Sequence, residues 1–461
     1  MAHQQVINSV LKRYEELTHE VARKVCVAPG RVNLIGEHID YNGFGVLPCA
    51  IDRVTVVAIG VSQSHETKDL CVSQVASLGT EFEVRFDTVP EVDKERHHWS
   101  NYVQGAYLSL RESGVKLPRG MVLVIGGDLP QASGLSSSSS LVVACGMAMS
   151  SLGSGESDLL PREKLAEIST KAEWLVGTAG GGMDQAAILL SEKGFASHIE
   201  FNPVRIAEKV KLPKGVSFVV ANSLVRSAKA ETVNLNFNKR VFECKLGQIL
   251  LRSGLSLEDR NIVEDNFSRI HSEKYNPGAG FTDILKDCEA LLPEEPVSRE
   301  KVVELIGQET LDRLLKGLPW ARGVWEANEF FSIYRRALHV YKEAERVETF
   351  ISACAQGNIH GMIECINSSG DSLDINYECS VPELRELVQV MRDSGCVAAR
   401  LVGAGFGGCA LGMIMPEDDV EDVIGKIRRK FFFEKNRGEA EKFNQYCFSF
   451  EPAAGCAVFD P

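Results

Sequence analysis

The 461 residues contain no CxxC pair, no HExxH sequence and no Cys/His cluster at zinc spacing, which removes the common structural and catalytic zinc sites. No apolar run reaches the ~18 residues of a membrane span, and the charged amino terminus MAHQQVINSVLKRYEELTHEV lacks a signal-peptide core. Internal repeats and low-complexity segments are missing too, so solenoid and disordered architectures drop out. GxxxxGK[ST] does not occur, so there is no Walker A loop. Positive charge is short: 50 Lys and Arg against 63 Asp and Glu leave −13, which argues against nucleic-acid or anionic-membrane partners. A small anion, needing only a local positive site, is not excluded. The 13 cysteines form no disulfide framework and read as reduced, buried thiols. A cytoplasmic location is the resulting expectation.

What is present is length enough for two large domains or about three average ones, with 44% hydrophobic and 25% charged residues as in soluble globular proteins. Glycine is uneven, clustering in residues 29–45, 126–134, 177–182 and 395–408. The first cluster, VCVAPGRVNLIGEHIDYNGFGVLPCAIDRVTVVAIGV, sets Arg31, Asn33, Glu37, His38 and Asp40 between two β-branched stretches. So many convergent donors and acceptors between two apolar strands suit a hydroxyl-rich ligand better than a surface ion pair.

The second cluster, MVLVIGGDLPQASGLSSSSSLVVACGMAMSSLG, runs from an apolar strand through a Gly/Ser loop into an apolar helix. Unsatisfied N–H groups and the positive end of the helix dipole make residues 134–139 an anion site, with serine hydroxyls as further donors or as an oxygen ligand for Mg²⁺. A serine linker would share the composition but not the flanking strand and helix. In the third, PREKLAEISTKAEWLVGTAGGGMDQAAILLSEKG, a helix bearing Glu173 leads through a glycine loop to Asp184. Asp184 at a helix start would stay ionised, as a base requires; taken alone it also reads as a helix cap, and Glu173 as a solvated helix charge. The fourth, RLVGAGFGGCALGMIM, holds a formal GxGxxG at Gly403, Gly405 and Gly408. A dinucleotide fingerprint must open a helix, whereas the apolar run 409–415 continues as a strand, so a tight turn near the active site is expected.

The segments PGRVNLIGEHIDYNGFGVLP, SGLSSSSSL and RLVGAGFGGC resemble, in order and separation, the three motifs of the GHMP sugar and metabolite kinases. GEHIDY resembles the galactokinase signature, and the likeness is closest to the eukaryotic branch holding N-acetylgalactosamine kinase and fungal-type galactokinase. HWSNYVQG, GGGMDQAA, RALHVYKEAERV and NYECSVPELREL extend it over nearly the whole chain, most weakly in residues 256–325, whose leucines and charges read as surface helices. The resemblance implies a two-domain α+β fold, divided at 1–213 and 214–461, with the active site in the inter-domain cleft.

It also implies ATP-dependent phosphorylation at C1 of galactose, N-acetylgalactosamine or both, by a monomer with no nucleic-acid or membrane partner. By that resemblance Asp184 would be the base and Arg31 would hold it ionised while stabilising the transferring phosphoryl. Glu173 and Ser137 would hold Mg²⁺, while Gly134, Leu135, Ser136, Ser138 and Ser139 would cradle the ATP phosphates. Glu37, His38, Asp40, Gly182, Asn222 and Phe237 would bind the sugar; Trp99 and Tyr102 would line the adenine pocket or pack in the core. Three positions depart from the usual pattern: Val402 replaces a threonine, Ser139 stands where many relatives have alanine, and Phe237 replaces the tyrosine typical of galactokinases. Losing that phenol favours a pocket that admits a 2-acetamido group. A sugar and ATP sensor without turnover is the alternative, but the serine loop is full length and Arg31, Glu173 and Asp184 are all present. Mevalonate or homoserine kinases conflict with GEHIDY.

Overall fold

The computed structural model describes residues 3–61, 72–77, 80–84, 92, 98–131, 133–153, 160–226, 235–258, 260–276 and 279–461. Helix α1 (Gln4–Thr18) precedes two long strands, β1 (Lys24–Asn33) and β2 (Pro48–Val61). Strands β3 (Val72–Ser77) and β4 (Thr80–Val84), helix α2 (Ser100–Glu112) and strand β5 (Met121–Gly127) follow. The sheet order is β14-β1-β2-β5-β3-β4, with β3 parallel to β5 and every other pairing antiparallel; β14 (Ala457–Phe459) comes from the far end of the chain.

Alternation along β1 and β2 sends side chains to both faces, and both are covered. Val25, Val54, Val56 and Ala58 meet Ile7, Val10 and Tyr14 of α1, whereas Cys26, Ala28, Val57 and Ile59 face the main core. That core is built around helix α3 (Ser137–Gly153), wedged between the sheet and helices α2, α4 (Arg162–Val176) and α5 (Met183–Leu190). Enclosure on all sides explains why α3 is apolar nearly all round, with Val142, Val143, Cys145 and Met149 fully buried.

A hairpin of β6 (Ala196–Glu200) and β7 (Arg205–Val210) leads to a second sheet, order β11-β12-β8-β13, all antiparallel. Its strands are β8 (Ser217–Asn222), β11 (Ala398–Leu401), β12 (Cys409–Ile414) and β13 (Cys447–Phe450). Between β8 and β11 lie a pair of two-residue strands, β9 (Val297–Ser298) and β10 (Phe330–Phe331), and the helices α6 (Phe237–Gly254), α7 (Phe267–Lys274), α8 (Thr282–Leu291), α9 (Arg299–Ile306), α10 (Gln308–Gly317), α11 (Ala321–Ala327), α12 (Tyr334–Gln356), α13 (Ile359–Ile375) and α14 (Pro382–Arg392). The helices expected in residues 256–325 are therefore α7 to α11, amphipathic and burying Ile270, Ile284, Val302, Leu311 and Leu314. The formal GxGxxG connects β11 to β12 as a hairpin, Leu401 pairing with Ala410, and opens no helix. One apolar cluster runs from β1 and α3 through α6 and α12 to α13, so the two sheets rest on a shared core.

Candidate active site

Arg31 sits near the end of β1, just past a bulge at Pro29/Gly30. Gly30 is required there, because a Cβ would lie 2.9 Å from the Leu135 carbonyl oxygen and 2.5 Å from Leu129 Cδ1. That approach lets Arg31, 2% exposed, reach two elements at once. Its Nε and Nη2 donate to Asp184 Oδ1 at 2.8 and 2.7 Å, and its Nη1 donates to the Gly134 carbonyl at 2.7 Å. Strand, serine loop and α5 thus converge on one guanidinium.

Asp184 does not cap its helix. Gly182, at φ +107°, is the N-cap of α5, and Asp184 lies in the first turn, where the helix dipole favours its charge. Glu173 is no solvated helix charge either: it is 5% exposed, and Ser139 Oγ donates to its Oε1 at 2.7 Å. The same hydroxyl lies 3.4 Å from Asp184 Oδ2. Asp40 Oδ2 accepts from the N–H groups of Gly181 and Met183 at 3.1 and 3.2 Å. Such closeness needs glycine, since a Cβ on Gly181 would be 2.2 Å from Tyr41 N. Burial, and then the neighbouring Asp184, push the Asp40 carboxyl up to about 6.

His38 adopts the left-handed φ of +65°, uncommon for a non-glycine residue, and lines the cavity. Its Nε2 lies 3.1 Å from the Ala404 carbonyl, which can only accept, so Nε2 carries a proton. Its Nδ1 lies 2.9 Å from Tyr41 Oη, which in turn is 2.6 Å from Tyr377 Oη. Phe237 packs beside both rings, centroids 5.6 Å from His38 and 5.8 Å from Tyr41. Glu37, 1% exposed, accepts from Asn33 Nδ2 at 2.9 Å, Gly403 N at 2.9 Å and Arg400 Nη1 at 3.2 Å. It therefore holds the β1 loop to β11 as well as facing the cavity.

One cavity brings together Arg31, Glu37, His38, Asp40, Glu173 and Asp184, with Gly182 and Phe237 also on its wall. Tyr41, Thr178, Gln185 and Ala404 line it too and were not singled out from the sequence. Asn222 does not line it; its Oδ1 accepts from Leu224 N at 2.8 Å, and residues 227–234 of the same segment lie outside the described residues. Support from α12 was also missed. Glu343 Oε1 accepts from Gly36 N at 3.1 Å and Ser369 Oγ at 2.7 Å, and His339 Nε2, 3.0 Å from the Glu37 carbonyl, donates to it. Burial lowers His339 to about 4, so it works as a neutral imidazole. The signal was there: Arg336, His339 and Glu343 recur three and four residues apart on the face that also buries Val340 and Val347.

The serine loop lies alongside. Ser136, at φ +61°, has a buried Oγ without a hydrogen-bond partner, while Ser137 and Ser138 are half-buried at the start of α3. An orphaned hydroxyl beside the first turn of a helix suits an anionic group. The glycine turn closes over this loop: a Cβ on Gly403 would be 2.6 Å from Gly134 O, and one on Gly408 2.7 Å from Ser133 O. Tyr102 reaches Ser138, and burial holds its phenol well above the ordinary range. Trp99 is half-buried at the N-cap of α2, its ring 5.3 Å from that of His98. Among the described residues no group of three or more His, Cys, Asp or Glu could hold a metal ion, so any cation here would need phosphate oxygens as further ligands.

Comparison with known proteins places this geometry in a family. Residues 12–61 match the galactokinase galactose-binding signature, 101–192 the GHMP kinases N-terminal domain and 350–432 the GHMP kinases C-terminal domain. Galactokinase of Dictyostelium discoideum is 33% identical over 97% of this chain and 94% of its own length. Galactokinase of Saccharomyces cerevisiae is 30% identical over 99% and 94%. Lactococcus lactis galactokinase, solved with galactose, is 25% identical with a TM-score of 0.72, covering 98% of this chain and 99% of that one. Methanococcus jannaschii mevalonate kinase, at 14% identity and a TM-score of 0.52, shares the fold.

Proposed function

This chain belongs to the galactokinase family of the GHMP kinases, and from that membership we propose that it transfers the γ-phosphoryl of ATP to the C1 hydroxyl of a galactose-type sugar. The observation that carries the proposal is Asp184, gripped at Oδ1 by two Arg31 nitrogens at 2.8 and 2.7 Å in a cavity shared with Glu37, His38 and Asp40. Asp184 takes the proton of the C1 hydroxyl, and Arg31 keeps it anionic while offering charge to the transferring group. Asp40, His38 and Glu37 read the remaining hydroxyls, with Gly182 allowing close approach to the ring.

The triphosphate rests on the first turn of α3, cradled by the amides of residues 134–138 and by the hydroxyls of Ser136 and Ser138, with Leu135 fixing the loop in the core. Trp99 and Tyr102 border the adenine side. A bound Mg²⁺ would neutralise phosphate charge, and Glu173 with the Ser137 hydroxyl are the groups that would hold it. The two halves divide near Pro213, with β14 returned to the first sheet. Phe237 supports N-acetylgalactosamine, alone or beside galactose, because its ring meets His38 and Tyr41 without a phenolic hydroxyl that demands a partner. A cytoplasmic setting suits the twelve cysteines among the described residues, all buried and unpaired. No helix of the described residues is long and apolar enough to cross a membrane.

The test is ADP release with galactose, N-acetylgalactosamine, glucose and mevalonate, the product being checked for phosphate at C1. Release with the galactose-type sugars alone is expected. No release with any of the four would overturn the proposal in favour of a non-catalytic sensor.

A further inference from the structure

Five consecutive serines, residues 136–140, lead into the first turn of α3, yet their hydroxyls do different work. Ser137 and Ser138 are half-buried at the helix start, whereas Ser139 and Ser140 are fully buried. Ser140 Oγ turns back to the sheet, 3.0 Å from the Ala28 carbonyl and 2.9 Å from Thr55 Oγ1. Ser139 Oγ points the other way, between α4 and α5. It donates to Glu173 Oε1 at 2.7 Å, lies 3.4 Å from Asp184 Oδ2, and is 3.5 Å from Gln185 Nε2, an amide nitrogen that can only donate.

We propose that Ser139 is a positioning residue for the phosphoryl transfer, its buried hydroxyl holding Glu173 and Asp184 in register, and that this hydroxyl is not a nucleotide ligand. The proposal rests on the sugar-kinase reading of the site. A serine hydroxyl has one proton and two lone pairs, so Ser139 serves one carboxylate at a time while Gln185 fills an acceptor position. At 2.7 against 3.4 Å the proton goes to Glu173. Arg31 grips Asp184 at Oδ1, and Oδ2 receives the Ser139 proton only in the hydroxyl orientation that releases Glu173. Two carboxylates on adjacent helices repel each other, and a donor placed between them offsets that repulsion while fixing their separation. Asp40 adds a third negative group beside Asp184, and the Tyr102 phenol lies near Glu173, so Arg31 and Ser139 are among the donors that keep this acidic corner ordered. A phosphate oxygen cannot reach the Ser139 hydroxyl without displacing Glu173 from it.

The experiment compares wild type, Ser139→Ala and Ser139→Thr in steady-state kinetics with galactose and N-acetylgalactosamine, and measures equilibrium Kd for ATP by calorimetry without sugar. Loss of one hydrogen bond to a carboxylate should lower kcat of Ser139→Ala about 10- to 100-fold, with sugar KM and ATP Kd within about twofold of wild type. Ser139→Thr, which keeps the hydroxyl, should regain most of kcat. Thermal melting of each variant separates loss of fold from loss of positioning: a full kcat defect in a variant that melts with the wild type supports the proposal. An Ala variant with wild-type kcat, or one whose ATP Kd rises tenfold, would overturn it. Wild-type protein inactive on every sugar would instead overturn the functional reading beneath it, and the two failures are told apart by that control.

Discussion

Replacing Arg400 with methionine removes a fully buried guanidinium at the point where β11 crosses the loop after β1. Arg400 Nη1 donates to Glu37 Oε1 at 3.2 Å and Nη2 donates to the Asn33 carbonyl at 2.9 Å, so one side chain ties β11 to the end of β1 and the loop after it, beside the cavity. Breaking a buried pair from one side costs about 3–5 kcal/mol, because the partner charge stays behind. The lower end applies here. Glu37 keeps its bonds from Asn33 and Gly403, and Arg400 Nε is itself buried without a partner, a penalty that methionine relieves. Unfolding entropy of about 2.1 cal/mol/K per residue gives ~1 kcal/mol/K for a chain of 461 residues, so ~3 kcal/mol lowers Tm by about 3 °C.

Scanning calorimetry of Arg400→Met, Glu37→Gln and the double variant checks this. The double variant should regain about 2 kcal/mol relative to the sum of the singles, since the neutral amide that replaces the Glu37 carboxylate leaves no charge stranded. Sugar KM should rise in Arg400→Met while ATP KM stays put, because the disturbed loop carries Glu37 and His38. A Tm within about 1 °C of wild type, or strictly additive singles, would refute the reasoning.

Asp184→Asn should bind ATP nearly as tightly as wild type while turnover falls by orders of magnitude; near-normal single-turnover phosphorylation would remove Asp184 as base. Phe237→Tyr should shift the ratio of kcat/KM values toward galactose over N-acetylgalactosamine, and an unchanged ratio would cancel the specificity assignment. Asp40, raised to about 6, should make sugar KM climb as pH falls below that value, a dependence that Asp40→Asn flattens. The same raised value means that Asp40 favours the folded state below its unfolded pKa and loses that contribution as pH rises through about 6. Asp40→Asn should therefore have a higher urea midpoint than wild type at about pH 7.5, and the gain should vanish near pH 4. The opposite order would mean that the carboxylate is stabilised in the fold.

Much of the site was legible because its parts are local. A glycine-rich turn before an apolar helix makes an anion site wherever it occurs, and the motif spacing carried the family. The glycine turn at residues 403–408 could be separated from a dinucleotide loop because strand character follows it, as β12 bears out. Helix-start chemistry also pointed to Asp184, but could not distinguish a cap from a first-turn carboxylate; only the left-handed Gly182 before it decided that.

Which residues carry charge, and where the backbone must bend, follow from the order of amino acids with no reference to the fold. Which of those charges meet is settled by packing in three dimensions. Arg31 and Asp184 are 153 residues apart, and Glu37 and Arg400 363 apart, so no local pattern pairs them. The identical serines 136–140 illustrate the same division: composition supplies five hydroxyls, while helix rotation and the neighbours on α4, α5 and the sheet give each a different environment. A side chain's partner depends on the direction in which packing points it, and that direction is set by elements hundreds of residues away.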